Sequence, residues 1–186
     1  MRKTFLLVFL LILFYCPFAS AVVFTVDADL NSVTQTYYQN IVPPYLSDGP
    51  LNTGLYLNAG DLLEISASGI WSNAPPSYNL IFGPDGNPNE NIAPTYPGAG
   101  YPVASLLGKI GSNNYVFLGS NYSSYVNQSG VLYLGFNDTD YGNNWGTVNA
   151  DVIISPVSAP VPEPTTLSLL GLGLAGLVFR KKKTTL

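Results

Sequence analysis

An all-β sandwich is the fold this sequence predicts for its central part, and three observations predict it. Short apolar runs with period-2 alternation recur between clusters of Gly, Pro, Asn and Asp. No stretch between them carries a convincing helical period. Once both ends are set aside as targeting sequence, about 130 residues remain, enough for a single two-sheet core.

The amino-terminal end comes first. Arg2-Lys3 precedes an apolar run over 5–15 and then Ala19-Ser20-Ala21, the charged, apolar and small-residue order of a secretory signal. The run falls short of the roughly 20 apolar residues that a spanning helix needs. Cys16 follows the bulky pair Phe14-Tyr15, which does not suit a lipoprotein signal. Residues 1–21 therefore read as a signal helix that signal peptidase removes after Ala21.

The mature domain is expected over 22–155. Residues 22–26 suit a first strand, whereas 31–40 is polar and Tyr-rich without clear period, and Pro43-Pro44 breaks what precedes it. Residues 55–57, the turn Asn58-Ala59-Gly60-Asp61 and 62–69 read as strand, tight turn, strand. Leu63, Ile65 and Ala67 share one face of the second strand, with Glu64, Ser66 and Ser68 on the other. Residues 71–101 form a long irregular region rich in Pro, Gly and Asn, the kind of loop that compact domains keep for function or leave disordered. Within it Tyr78, Phe82, Tyr96 and Tyr101 are available to cover the core edge or to stack on a ligand. Apolar runs over 103–110, 115–118 and 131–136 are further strands, with 120–130 as a polar connection. In 148–154, Val148, Ala150, Val152 and Ile154 alternate with Asn149, Asp151 and Ile153 to make the last strand.

Charge is divided sharply. The whole chain carries −4 from 7 Lys and Arg against 11 Asp and Glu, but six of the seven bases lie in the two ends. Between residues 22 and 160 Lys109 is the only base against ten acids, a formal −9. Such a surface repels nucleic-acid phosphates and leaves acidic clusters free to take a cation. The only cysteine is in the signal and the chain has no histidine, which excludes Ser-His-Asp and Cys-His catalysis and deprives zinc of its usual ligands. Paired carboxylates are the enzyme chemistry left. The nearest pair for glycoside hydrolysis is Asp85 and Glu90, which ordinary loop structure explains better, and the chain reads as no enzyme.

The carboxyl-terminal end has its own order. A Pro-rich linker (156–160) leads to Val161-Pro162-Glu163-Pro164, an apolar run over 167–179 dense in Gly and Leu, and Arg180-Lys181-Lys182-Lys183. The basic cluster should stay cytoplasmic and leave the domain outside. Residues 161–186 strongly resemble the PEP-CTERM sorting signal of Gram-negative bacteria. That resemblance implies a hydrophobic helix that anchors the chain transiently in the inner membrane, processing by an exosortase, and delivery to the cell surface or extracellular matrix.

Asn137-Asp138-Thr139-Asp140-Tyr141-Gly142-Asn143-Asn144-Trp145-Gly146 lies between the last two strands and gathers carboxylates, carboxamides and glycines with no base. Oxygen ligands on a loop are what Ca2+ takes, and Asp138, Asp140, Asn143 and Asn144 can supply much of a shell of about 6–8 oxygens. Turns use the same residue types, so this composition also suits a plain loop. The framework around it resembles the small calcium-dependent galactose lectins of the PA-IL type. The likeness runs in order through Asn58-Ala59-Gly60-Asp61, residues 65–71, Gly83-Pro84-Asp85-Gly86, Leu106-Leu107-Gly108-Lys109-Ile110-Gly111, residues 130–138 and Tyr141-Gly142-Asn143-Asn144. It implies a small antiparallel β-sandwich of jelly-roll type. It also implies that Asp138, Asn143 and Asn144 give side-chain oxygens to calcium and touch the sugar, and that Asp140 and Asn73 give backbone carbonyls. Asp140 can add its carboxylate. Two departures stand out: the segment from Asp138 to Asn143 is two residues shorter than the family's, and no histidine is present to contact the sugar.

The function so implied is a surface-sorted, calcium-dependent carbohydrate-binding protein, its partner a galactose-containing glycan or an exopolysaccharide. Homo-oligomers or dense display would supply avidity. The alternative is a structural surface or matrix protein in which calcium only stabilises the fold.

Overall fold

The computed structural model describes residues 21–34, 48–157 and 173. Residues 1–20, 35–47, 158–172 and 174–186 lie outside the described residues, and the two flanking helices expected at the ends fall there. Among the described residues no helix is long and apolar enough to cross a membrane. The chain divides into two compact units, Met1–Pro156 and Val157–Leu186, and the first holds all eight strands.

Those strands are β1 (Val22–Asp27), β2 (Leu51–Leu57), β3 (Leu62–Ser72), β4 (Leu106–Ile110), β5 (Val116–Phe117), β6 (Asn121–Tyr125), β7 (Gly130–Phe136) and β8 (Trp145–Ser155). They make two four-stranded antiparallel sheets, in the orders β1-β8-β3-β6 and β2-β7-β4-β5. Among the described residues of the domain, the only helical turn is a 3-10 turn at Pro76–Tyr78. Eight strands divided between two sheets with this alternation are a jelly-roll arrangement.

Period-2 alternation sets which residues face inward. Val26, Leu63, Ile65, Val148, Ala150 and Val152 of the first sheet meet Leu57, Leu106, Leu132, Leu134 and Phe136 of the second in one buried cluster. Trp71 is fully buried and binds several parts together. Its ring meets Phe136 of the opposite sheet edge to face, centroids 4.7 Å apart. Its indole N–H donates to Ala104 O at 2.7 Å and Gly83 O at 3.1 Å, and its backbone exchanges both hydrogen bonds with Phe82.

Several boundaries differ from the sequence expectation. β3 runs on to Ser72, so Trp71 belongs to a strand and the irregular region starts after it. The run expected over 103–110 is a strand only from Leu106, because Ala104 has φ +58° and turns the chain. The polar connection over 120–130 contains β6, an edge strand paired with residues 62–66 of β3. Of the four aromatics in the irregular region, Phe82 and Tyr96 pack on the core, Tyr101 lies against Phe117, and Tyr78 is exposed.

Candidate metal and glycan site

The ends of β1, β3, β7 and β8 converge around the acidic loop. β3 and β8 pair as far as Ser72 and Trp145, which sets Asn73 and Asn144 one step beyond the last pair. The close approach there requires glycine: Gly146 has φ +92°, and a Cβ on it would lie 2.5 Å from Ile70 O. β1 ends beside it, where Ala28 N–H donates to Gly146 O at 3.0 Å. The Asn144 amide then donates to Ala28 O at 3.2 Å and to Asp140 O at 3.3 Å, fixing the loop's return across β1.

The other root of the loop is Asn137, fully buried. Its side-chain amide donates to Pro102 O at 2.9 Å, with longer contacts to Gly98 O and Tyr101 O. Its backbone exchanges hydrogen bonds with Ser105 O and Ala104 N–H. The irregular region therefore braces the loop. A Cβ on Gly98 would overlap Asn137 Oδ1. Gly98→Ala should cost about 1–3 kcal/mol through forced displacement of Asn137, measured by urea unfolding. An unchanged midpoint would show that Asn137 moves freely.

The oxygens themselves are the informative part. Asn73 Oδ1, Asn137 Oδ1, Asp138 Oδ2, Asn143 Oδ1 and Asn144 Oδ1 are buried and accept no hydrogen bond. Buried acceptors are normally satisfied, so a set of orphans around one loop requires a reason. Four of these five residues are among the expected ligands. Asn73 was expected to offer a backbone carbonyl, and here its side-chain oxygen is the orphaned atom.

Electrostatics point the same way. Burial pushes the Asp138 carboxyl up from 3.8 to about 8. The Thr139 N–H, at 2.7 Å from Oδ1, and the nearby Asn144 side chain lower it only in part, while the charges of Asp140 and Glu90 raise it further. Burial also raises Asp140. A cation would relieve both carboxylates, and Lys109, the only base among the described residues, lies on β4. Among the described residues no three of Asp, Glu, His and Cys cluster as a metal site would require, so carboxamide oxygens must complete any shell. That donor set is hard oxygen throughout, which fits calcium rather than zinc.

Two further acids border the loop without having been singled out for it. Asp29, after β1, accepts the Gly142 N–H and so holds the turn before Asn143. Glu90 is close enough to be felt at Asp138. Neither lies within the loop's own sequence, and only the folded chain brings them there. Asp85 does not join Glu90 as a pair of free carboxylates: it accepts Ser120 N–H at 2.7 Å and Ser120 O–H at 2.9 Å. Glu90 takes the Asn87 amide at 3.4 Å.

Comparison with known proteins adds two findings. Residues 160–183 match the PEP-CTERM protein-sorting motif, which implies export, surface sorting and processing by an exosortase. Among solved structures the chain is similar to the EclA N-terminal domain, a PllA-like lectin. The match has 24% identity and a TM-score of 0.51, covering 73% of this chain and 98% of that one. At that identity the likeness establishes a shared fold. No curated protein matches the sequence.

Proposed function

We propose that the chain is a surface-sorted carbohydrate-binding protein whose acidic loop holds calcium. The single observation that carries this reading is the set of orphaned buried oxygens on Asn73, Asp138, Asn143 and Asn144 beside a carboxyl that burial alone makes costly to ionise. Asp138, Asn143 and Asn144 are the side-chain ligands in this reading, Asn73 a fourth, and Asp140 contributes its carbonyl or carboxylate. Bound calcium would supply open coordination positions for a pair of sugar hydroxyls. The lectin-like fold and the sorting motif support the display of such a site outside the cell.

Exposure orders the ligands. Asp138 and Asn144 are 4% and 8% exposed, and the Asn144 amide is spent on backbone carbonyls, so both suit the metal more than the sugar. Asn143 is half-buried next to exposed Gly142 and is the most exposed of the three side-chain ligands. The same burial favours the second reading, in which calcium only stabilises the fold. A glycan array on the full-length chain, with calcium and with chelator, separates the two. Calcium-dependent glycan binding supports the lectin reading, whereas calcium-raised melting without any glycan signal supports the structural one. Asn143→Ala should weaken glycan binding at saturating calcium by about tenfold, read as the array's concentration dependence. Equal loss of calcium affinity and glycan affinity would place Asn143 on the metal alone.

A further inference from the structure

We propose that the turn between β4 and β5 carries a second saccharide site, independent of calcium and suited to a glycan bearing carboxylate groups. Two clefts, of about 490 and 420 Å³, meet at this turn and share Asn113 and Asn114 in their walls. Both volumes fall in the range of ligand sites, about 300–1,000 Å³. The first opens between the sheets, where β5 is only two residues long, over a floor of Leu63, Leu118 and Leu132. The second lies between Tyr101 and Tyr115.

The chemistry of the walls is that of sugar recognition. The side-chain amides of Asn113, Asn114, Asn127 and Gln128 line these clefts, and none is bonded to another described residue. Each is free to donate to and accept from hydroxyls. Tyr115 and the 72% exposed Tyr125 offer ring faces for the C–H side of a pyranose.

Charge distinguishes this surface from the acidic loop. None of the mature domain's ten carboxylates lines either cleft, and its one base, Lys109, lines the first. The Lys109 ammonium lies 5.0 Å from the Tyr115 ring centre and 5.4 Å from that of Tyr133. Those rings hold the cation in place while leaving its charge uncancelled. The location is separate too. The turn is tied to the start of β7 by Gly111 N–H to Val131 O at 2.8 Å, whereas the acidic loop follows the other end of that strand.

The test titrates the full-length chain, in EDTA, with a galacturonate hexamer and with a neutral β-glucan hexamer. The acidic oligomer should bind saturably and about tenfold more tightly than the neutral one. Lys109→Gln should bring the two to equal affinity, and Lys109→Arg should preserve the difference. Asn114→Ala and Gln128→Ala, at exposed positions whose side chains bond no other described residue, should weaken both oligomers without changing the melting temperature. Absence of saturable binding in EDTA overturns the proposal, as does equal binding of both oligomers with a silent Lys109→Gln. Because EDTA removes calcium, failure of the calcium reading leaves this outcome untouched.

Discussion

Calcium at a hundredfold excess over its dissociation constant should raise the melting temperature of the calcium-free chain by about 5–10 °C near pH 8.5, and Asp138→Asn should abolish the rise. Saturation to that degree contributes about 2.7 kcal/mol. For a chain of this length each kcal/mol moves the midpoint by about 2–4 °C. The second half of the prediction concerns the calcium-free protein. The folded Asp138 carboxyl sits at about 8 against an ordinary 3.8. A group raised in this way contributes stability that is fully present below its unfolded value and is lost as pH rises through the folded one. Calcium-free wild type should therefore melt progressively lower between about pH 4 and pH 8. The Asn variant, uncharged throughout, should not show that component of the decline and should melt above calcium-free wild type at pH 8.5. With calcium bound the order reverses, since the ion requires the charged form and its binding displaces a proton. Differential scanning calorimetry across pH, with calcium and with EDTA, reads all of this. Parallel pH profiles of wild type and variant, together with melting indifferent to calcium, would remove the metal from this loop.

The same logic explains why the loop tolerates so poor an arrangement of charge. Asp138 and Asp140 repel one another and Glu90 adds to the repulsion, with no cationic side chain among the described residues there to offset it. A chain selected only for stability would not bury a carboxylate there. The orphaned amide oxygens have the same character, each a desolvated acceptor that costs free energy unless something meets it. Unfavourable groups gathered at one place, with favourable packing everywhere around them, are how a binding site differs from a loop.

Much of this was legible in the sequence because it is local. Alternation in 62–69 and 148–154 sets an apolar face against a polar one, 131–136 is an apolar run, and those stretches lie in β3, β8 and β7. The acidic loop stood out by composition, and the structure puts orphaned oxygens on three of the four residues it suggested, Asp138, Asn143 and Asn144. β6 was not legible. Its sequence, Asn-Tyr-Ser-Ser-Tyr, lacks apolar alternation because its inward positions are Tyr122, which packs at the core's edge, and Ser124, which lines the cleft there. Nor could the sequence show that the irregular region braces the loop. That role rests on Asn137 reaching carbonyls 35 to 39 positions earlier in the chain, and no periodicity records such contacts. Asp29 reaches Gly142 across 113 positions and was invisible for the same reason.

Trp71→Phe should be among the most damaging single changes, lowering stability by about 2–4 kcal/mol, and it should weaken calcium binding as well. Phenylalanine keeps an aromatic ring against Phe136 but is smaller, leaving a void in a site with no solvent exposure. It also deletes the N–H donated to Ala104 O and Gly83 O; Gly83 O keeps the Gly86 N–H at 3.0 Å, and Ala104 O is the acceptor left stranded. The effect on calcium follows from where those partners lie. Ala104 is bonded to the Asn137 carbonyl, Phe136 directly precedes Asn137, and Trp71 itself stands two residues before Asn73 and opposite Gly146. Both arms of the site thus take their position from one side chain. Urea unfolding measures the first effect, and the calcium dependence of the melting temperature measures the second. Trp71→Phe and Gly98→Ala make a useful pair, because each disturbs the loop's support without touching a proposed ligand. If both destabilise the fold while calcium affinity stays at the wild-type value, the loop holds its own geometry and the bracing described here is structural only. If affinity falls with them, the site is preorganised by the sandwich on which it sits.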